Sequence, residues 1–287
     1  MLRKILVPVD FSDRCAGAAR YAETLAAHFH SQFILLHVLD SGRLAYGGVE
    51  VGIPGPDWYA KLKAHTQERL DGFLGAELQA LAVSRILVEG DPVRRIVEYA
   101  HSEQVDLLAV STHGYGPFRR FLLGSVAAKI LHDADCPVWT GVHLEEAPAA
   151  GVIGFRRIVC ALDLGPQSAA ALSWASMMAR EFGARLYLIH VVPPVERIVA
   201  ESSEPDPADQ LVRQAREEIE KLRQQADAAA EVEVATGDIA RTVYEFSARR
   251  NTDLLVIGRG SSKGLVGRLR SHAYTLIRES SCPVVSV

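Results

Sequence analysis

The chain has 287 residues, which suggests two domains at the usual ~100–200 residues per domain. Hydrophobic residues make up 48% and charged residues 23%, values typical of a folded globular protein and not of a disordered one. The net charge is −4, and residues 1–144 and 145–287 each carry −2, so no basic half exists that would neutralise a nucleic acid backbone. No apolar run approaches the ~18 residues of a membrane span, and the N-terminus lacks the features of a signal peptide. We therefore expect a cytoplasmic protein whose partners include neither nucleic acid nor membrane.

The sequence repeats itself once, which predicts a duplicated domain. Five short motifs recur at a separation of 146 to 153 residues. They are KILVPVD at 4–10 and RIVCALD at 157–163, LLHV at 35–38 and LIHV at 188–191, GD at 90–91 and 237–238, DLL at 106–108 and 253–255, and CPV at 136–138 and 282–284. We predict a first domain over 1–142, a linker over 143–154 that is rich in small residues, and a second domain over 155–287.

Short apolar runs alternate with amphipathic stretches in each copy. In the first copy the runs predict buried strands at Ile5–Val9, Phe33–Val38, Ser84–Val88, Leu107–Ser111 and Val138–Val142. Helices are predicted between them, one capped by Ser12 and others over 58–82, 92–102 and 125–132. This alternation predicts an α/β fold, with two tandem three-layer sandwiches that are Rossmann-like and each contain an open five-stranded parallel sheet. Ligands of such sheets bind beyond the carboxyl ends of the strands.

Two segments that follow strands in the first copy are candidates for a binding site. Asp10 follows the first strand, and a loop with Gly114 and Gly124 follows the fourth. Gly124 and Ser125 open a helix, whose first backbone N–H groups and positive dipole end attract anions. Without further context, the same residues are also consistent with a turn, a helix cap and a carboxylate that caps the next helix.

Taken together, these motifs resemble the universal stress protein family. The resemblance rests on the Pro-Val-Asp strand end, the Leu-His-Val strand end, Gly-Asp-Pro before a helix, the Gly-x9-Gly-Ser loop and the Cys-Pro-Val strand, and it covers nearly the whole chain. It implies a five-stranded parallel sheet, dimer formation and, in many members, ATP bound through Gly-x2-Gly-x9-Gly-(Ser/Thr). Here Ser111 stands at the first glycine of that motif, where its side chain would either crowd the ligand or donate a hydrogen bond to it.

The resemblance implies an adenine-nucleotide site in the first copy. Asp10 and the backbone of Val9 and Val38 would hold the adenine and ribose, and Val126 would follow Ser125 along the phosphates. The full set of expected nucleotide-binding residues is Val9, Asp10, Val38, Ser111, Gly114, Gly124, Ser125 and Val126. ATP, alone or with Mg²⁺, is the expected ligand, and no catalytic or metal-ligating residue is assigned.

The second copy keeps the scaffold motifs and loses the glycine loop. Gly258 holds the first position, but Ser261 replaces the second glycine and Ser271-His272 replaces the Gly-Ser pair. A helix is expected to begin at Ser271, with the imidazole of His272 filling the phosphate space. We therefore expect that the second copy does not bind ATP in the family's manner. The same segment is basic, which indicates solvated surface charge or, as the alternative, a site for another anion; its basic residues are Arg259, Lys263, Arg268 and Arg270.

Three classes of function are compatible with the sequence. The leading one is an ATP-binding regulatory protein of the stress response, and the alternatives are a nucleotide-independent interaction or chaperone-like module and a slow ATPase. The two domains are expected to pack as a pseudo-dimer, with 138–142 and 284–287 meeting antiparallel, and a further homodimer is left open. His37 and His190 are expected to be hydrogen-bonded core histidines, and the four cysteines small buried hydrophobes.

Overall fold

The chain divides into two compact units, Met1–Ile153 and Gly154–Val287, here called unit 1 and unit 2. The computed structural model describes residues 1–40, 56–112, 123–141, 147–194, 207–259 and 268–287. No helix within these ranges has both the length and the apolar character needed to cross a membrane.

The described residues of unit 1 form five strands that pair in parallel in the order β3-β2-β1-β4-β5. They are β1 (Lys4–Pro8), β2 (Gln32–Leu39), β3 (Val83–Glu89), β4 (Leu107–Ser111) and β5 (Val138–Gly141). The strand order reverses between β1 and β4, and a crevice at the carboxyl ends of the strands is expected at such a point.

The strands of unit 1 form because their side chains are apolar on both faces of the sheet. Ile5, Leu6 and Val7 of β1 have no solvent exposure, and Phe33 and Leu35 of β2 are equally buried. Ile5 pairs with Phe33 on one side and with Leu107 on the other. A continuous apolar run of this kind is typical of a parallel strand covered by helices on both faces.

Four helices are described in unit 1, and two of them begin at side-chain caps. They are α1 (Asp13–Phe29), α2 (Pro56–Gly72), α3 (Pro92–Ser102) and α4 (Ser125–Asp133), followed by a 3-10 turn at Ala150–Val152. The Ser12 hydroxyl accepts a hydrogen bond from the Cys15 N–H at 3.2 Å, which confirms the predicted cap of α1. Asp91 caps α3 in the same way by accepting from the Arg94 N–H at 2.9 Å, and Pro92 occupies the first turn.

Unit 2 repeats the same order of elements. Its strands are β6 (Arg157–Ala161), β7 (Arg185–Val192), β8 (Ala230–Thr236), β9 (Leu254–Ile257) and β10 (Val284–Ser286), parallel in the order β10-β9-β6-β7-β8. Its helices are α5 (Ser168–Phe182), α6 (Pro207–Gln225), α7 (Ile239–Arg249) and α8 (Arg268–Glu279). The predicted fold class, two tandem α/β units with open parallel sheets, is confirmed.

One of the repeated motifs has the same structural role in both units. The Asp106 carboxylate accepts from the N–H groups of Arg3 and Lys4, at 2.7 and 2.9 Å, and so fixes the start of β1 on β4. Asp253 does the same for Arg156 and Arg157, at 2.9 and 2.8 Å. The repeated Asp-Leu-Leu motif is therefore an anchor for the first strand of each unit.

The structure corrects two details of the sequence prediction for unit 1 and leaves a third untested. The helix predicted over 58–82 ends at Gly72 in α2, because Leu74 has a φ of 51° and turns the chain out of the helix. Cys136 is only half-buried, whereas the other three cysteines are buried as expected. The strand predicted to end at Val142 is described as far as Gly141, and Val142 lies outside the described residues.

Candidate functional site

A cavity of about 510 Å³ lies in unit 1 where β1, β2 and β4 end and α4 begins. Seven of the eight residues predicted for the nucleotide site line it: Val9, Asp10, Val38, Ser111, Gly124, Ser125 and Val126. Gly114, the eighth, lies outside the described residues. The volume is within the ~300–1,000 Å³ range of small-molecule sites.

Asp10 is held rigidly at the end of β1. Its Oδ1 accepts from the Ser12 N–H at 2.9 Å and from the Ser12 hydroxyl at 2.6 Å. Asp10 therefore supports the cap of α1 through Ser12 and does not itself cap the helix. The Ser12 groups bond to Oδ1 alone, and the Asp10 carboxylate also interacts with the Cys15 thiol, so at most one carboxylate oxygen is left for a ligand in the cavity.

Val9 and His37 form a second fixed pair beside Asp10. The Val9 N–H donates to the Leu36 carbonyl at 2.8 Å, and the Val9 carbonyl accepts from Nδ1 of His37 at 2.6 Å. The Val9 N–H therefore bonds within the sheet. For the predicted contact between the Val9 backbone and a ligand, the second lone pair of the carbonyl oxygen remains. His37 is the hydrogen-bonded histidine predicted from the sequence, and it also lines the cavity.

The environment of His37 favours its neutral form. Burial lowers the pKa of the imidazole, and the nearby Arg69 guanidinium lowers it further, against the opposing effects of the Val9 carbonyl and Asp10. The Phe11 ring lies 4.6 Å from the His37 ring, and the Arg69 guanidinium lies 4.2 Å above Phe11. A neutral ring that donates through Nδ1 keeps a lone pair on Nε2.

The opposite end of the cavity is built by the start of α4. The Gly124 N–H donates to the Thr112 carbonyl at 2.7 Å, and the Thr112 hydroxyl donates to the Gly141 carbonyl at 2.9 Å, so the end of β4 holds the helix start in place. Gly124 is the N-cap and has no side chain with which to bond the first turn of α4. The first N–H groups of a helix lack intrahelical partners and sit at its positive end, which suits an anion.

Unit 2 has a cavity at the equivalent place, of about 350 Å³. Asp163 follows β6, and its Oδ1 accepts from the Gly165 N–H at 2.9 Å and from the Ser168 hydroxyl at 2.7 Å. Nδ1 of His190 donates to the Leu162 carbonyl at 2.8 Å, as His37 does to Val9. The end of the cavity at β6 and β7 therefore keeps the geometry that unit 1 has at β1 and β2.

The helix start in unit 2 differs from the sequence prediction. The expectation that this helix begins at Ser271 and His272 is wrong, because α8 begins at Arg268, one turn earlier. The backbone N–H of His272 lies beyond the first turn, where helix N–H groups bond to carbonyls within the helix. The His272 side chain lines the cavity, together with Gly258 at the end of β9.

The profile of the universal stress protein family matches residues 1–140 and residues 154–287. The chain belongs to the universal stress protein family. Two matched segments in one chain make it a tandem member.

Individual relatives of this universal stress protein match either one domain or the whole chain. A universal stress protein of Methanocaldococcus jannaschii is 32% identical over 143 residues, which are 48% of this chain and 81% of that protein. One from Mycobacterium tuberculosis is 33% identical over 138 residues, which are 47% of this chain and 43% of that protein. The crystal structure of a universal stress protein from Archaeoglobus fulgidus shares the fold, with a TM-score of 0.74 and 19% identity over 100% of this chain and 98% of that chain.

Sequence reasoning missed several residues that line the unit 1 cavity. Thr112 follows Ser111 directly and could have been found from its position after β4, but Pro92 and Ile96 of α3 face the cavity only because α3 packs against β2 and α4. Ala127 and Ile130 lie on the inner face of α4, one turn apart. These apolar side chains give the cavity a hydrophobic wall opposite the polar groups at the strand ends.

Proposed function

We propose that this tandem universal stress protein binds an adenine nucleotide, ATP, in unit 1 and that the bound nucleotide regulates its interactions in a stress response. The observation that carries the proposal is that seven predicted site residues line a single cavity. They come from the ends of three strands and from the start of one helix. Residues so far apart in sequence meet there because the carboxyl ends of parallel strands share one edge of the sheet.

The two ends of the cavity suit the two ends of a nucleotide. Beside β1 and β2, the Asp10 carboxylate and the His37 imidazole offer acceptors for ribose hydroxyls or a base amine, next to apolar side chains for the base. At α4, the free first-turn N–H groups, the Ser125 hydroxyl and the absence of a Cβ at Gly124 offer a site for phosphate oxygens. Val126 is 39% exposed, so the phosphate end would lie at the mouth of the cavity.

A magnesium ion, if it accompanies ATP, would be held mainly by the phosphates. Within the described residues no group of three or more His, Cys, Asp or Glu side chains could hold a metal ion. Mg²⁺ in nucleotide sites usually keeps several waters and binds through phosphate oxygens with one or two protein ligands. Among the described residues that line the cavity, Ser125 is the one best suited to ligate Mg²⁺, through its hydroxyl.

We propose binding and not turnover as the function. Phosphoryl transfer needs a residue that orients the attacking nucleophile and groups that neutralise the transferred phosphate. The one carboxylate among the described lining residues, Asp10, lies at the end of β1 and is tied to Ser12. That position suits the nucleoside end of the ligand and not the phosphate end.

The direct test is to denature the purified protein and chromatograph the released nucleotide, and then to titrate the nucleotide-free protein with ATP by calorimetry. Gly124→Asp is expected to weaken ATP binding more than tenfold, since it adds both a side chain and a negative charge at the helix start. The matched control is Ser271→Asp, at the equivalent position of unit 2, which is expected to leave ATP affinity unchanged. Equal affinities of wild type and Gly124→Asp would rule out the proposed site.

A further inference from the structure

Thr112 joins the start of α4 to the end of β5 in unit 1. It is the first residue after β4, and it is 3% exposed. Its carbonyl accepts from the Gly124 N–H at 2.7 Å, and its hydroxyl donates to the Gly141 carbonyl at 2.9 Å. One buried residue therefore connects the N-cap of α4 with the last residue of β5.

The start of α4 depends on Thr112 because its N-cap is a glycine. N-cap residues usually fix a helix start through a side-chain oxygen, which Gly124 lacks. The Gly124 backbone makes the connections instead, since its N–H bonds to Thr112 and its carbonyl accepts from the Ala128 N–H at 2.9 Å. The position of the first-turn N–H groups of α4 therefore depends on where Thr112 lies.

The bond from Thr112 to Gly141 extends the pairing of β4 with β5 by one residue. Ser111 and Gly141 are the last paired residues of the two strands, and the Thr112 hydroxyl bonds just beyond them. In unit 2 the equivalent positions are joined by the main chain, because the Arg259 N–H donates to the Val287 carbonyl at 2.7 Å. Both units therefore have a connection at this place, and in unit 1 it includes a hydroxyl that a substitution can remove.

We propose that Thr112 is a positioning residue that transmits nucleotide binding in unit 1 to the end of β5, an inference that rests on the proposed function. Phosphate oxygens bound to the first-turn N–H groups of α4 would restrict the motion of Gly124, and Thr112 would extend that restriction to Gly141. Order imposed at one site lowers the entropic cost of order at a connected one. Because such coupling is reciprocal, the bond to Gly141 also strengthens ATP binding.

The test is amide hydrogen exchange of the nucleotide-free full chain with and without saturating ATP, followed on separate peptides from β5 and from the start of α4. In wild type, ATP is expected to slow exchange in both peptides. Thr112→Val keeps the carbonyl and the shape of the side chain and removes the hydroxyl, so in this variant ATP is expected to slow exchange in α4 and not in β5. Calorimetry of the same variant is expected to show ATP binding about three- to tenfold weaker, the effect of one lost hydrogen bond.

Further variants distinguish positioning from a general loss of stability. Thr112→Ser keeps the hydroxyl and is expected to keep the response of β5 to ATP. Thr66→Val is the matched control, because it makes the same change at another buried threonine of unit 1, whose hydroxyl donates to the Leu62 carbonyl at 2.8 Å within α2. It is expected to leave the β5 response and the ATP affinity unchanged. If Thr112→Val does not fold, Thr112→Ala takes its place with the same expected result.

The outcomes separate this inference from the proposed function. If ATP binds and slows exchange in α4 but not in β5 of wild type, the inference is overturned and the proposed function stands. The same holds if ATP slows exchange in β5 equally in wild type and Thr112→Val, or if Thr112→Ser loses the β5 response as Thr112→Val does. If wild type does not bind ATP at all, the proposed function and the inference are both overturned.

Discussion

Asp10 and Asp163 occupy the same turn in the two units and hold it through different donors. Asp10 bonds twice to Ser12, whereas Asp163 bonds to Gly165 and to Ser168. The residue after each aspartate has a left-handed backbone, with φ of 63° at Phe11 and 58° at Leu164, which is rare for such side chains. The hydrogen bonds to the carboxylate stabilise this strained turn. In each unit the aspartate is therefore held in place by its structural role, at a position where it lines the cavity.

The neutral state of His37 leads to a prediction about stability and pH. Its pKa in the folded protein is lowered from 6.5, chiefly by burial, so the unfolded chain takes up a proton first as the pH falls. The free energy of unfolding should therefore decrease between pH 7.5 and pH 5.5, and His37→Gln should reduce that decrease. Urea denaturation at the two pH values measures it, with pH 7.5 as the internal reference because the ring is neutral there in both states. An equal pH dependence in the two proteins would contradict the proposed environment of His37.

The residues that line the unit 1 cavity were largely predictable from the sequence, but the hydrogen bonds of their individual atoms were not. Val9 and Val38 end apolar runs and Asp10 follows one, and parallel strands bring such positions to one edge of the sheet. Their assignment as ligand contacts came from the resemblance to the family. The engagement of the Val9 N–H depends on the register of β1 against β2, which no local signal records. The contribution of Pro92 likewise depends on how α3 packs.

At the level of elements, the turn between β3 and α3 requires glycine. Gly90 has a φ of 134°, and a Cβ there would lie 2.9 Å from Nε of Arg95. Gly90→Ala is therefore expected to lower the free energy of unfolding by about 1–3 kcal/mol. Gly151→Ala is the matched control in the same unit, because a Cβ there meets nothing within 4 Å, and a change below about 0.5 kcal/mol is expected. Urea denaturation followed by circular dichroism measures both, and similar losses in the two variants would argue against strain at Gly90.

The anchoring of β1 by Asp106 gives a second prediction about an element. Asp106→Ala leaves the N–H groups of Arg3 and Lys4 without their acceptor, and we expect a loss of about 1–3 kcal/mol in the free energy of unfolding. Asp135→Ala removes an exposed carboxylate that pairs with His101 at the surface, and about 0–0.5 kcal/mol is expected. Hydrogen exchange of the β1 amides provides an independent measurement, since the anchor acts on that strand. Unchanged protection of β1 in Asp106→Ala would contradict the anchoring role.

Strands were predicted more accurately than helix ends, for a physical reason. A buried parallel strand is apolar along its whole length, so its bounds appear in the sequence. The end of α2 is set by the left-handed backbone of Leu74, a residue that gives no turn signal, while apolar residues such as Leu78 continue the helical pattern beyond it. The start of α8 at Arg268 was missed because the prediction transferred the helix start from the first copy to the second.

At the level of the whole molecule, the duplication has kept one set of features and changed another. Both units keep the aspartate after the first strand, the histidine bonded to the carbonyl beside it and the anchor of the first strand. The start of the last helix differs between α4 and α8. The two copies therefore share a scaffold and differ at the end of the cavity where phosphates would bind. The antiparallel meeting of 138–142 with 284–287 stays a prediction from the sequence.

This asymmetry predicts one ATP per chain, bound in unit 1. In unit 1, α4 begins at Ser125 after a glycine cap, and its first-turn N–H groups lie beside the cavity. In unit 2, α8 begins at Arg268, carboxylates line the cavity and the His272 side chain occupies part of it. Calorimetric titration near pH 7.5 should give a stoichiometry of about one, because the start of α4, and not that of α8, is placed to bind phosphate.

A substitution in unit 2 separates the two causes of the asymmetry. If the His272 side chain alone blocked phosphate, His272→Ser would create a second ATP site. Because the helix start is itself displaced by one turn, we expect His272→Ser to keep a stoichiometry of about one, with an affinity within twofold of wild type. Two sites in wild type would refute the asymmetry. If two ATP sites were found in His272→Ser and one in wild type, the cause of the asymmetry would be the imidazole and not the start of α8.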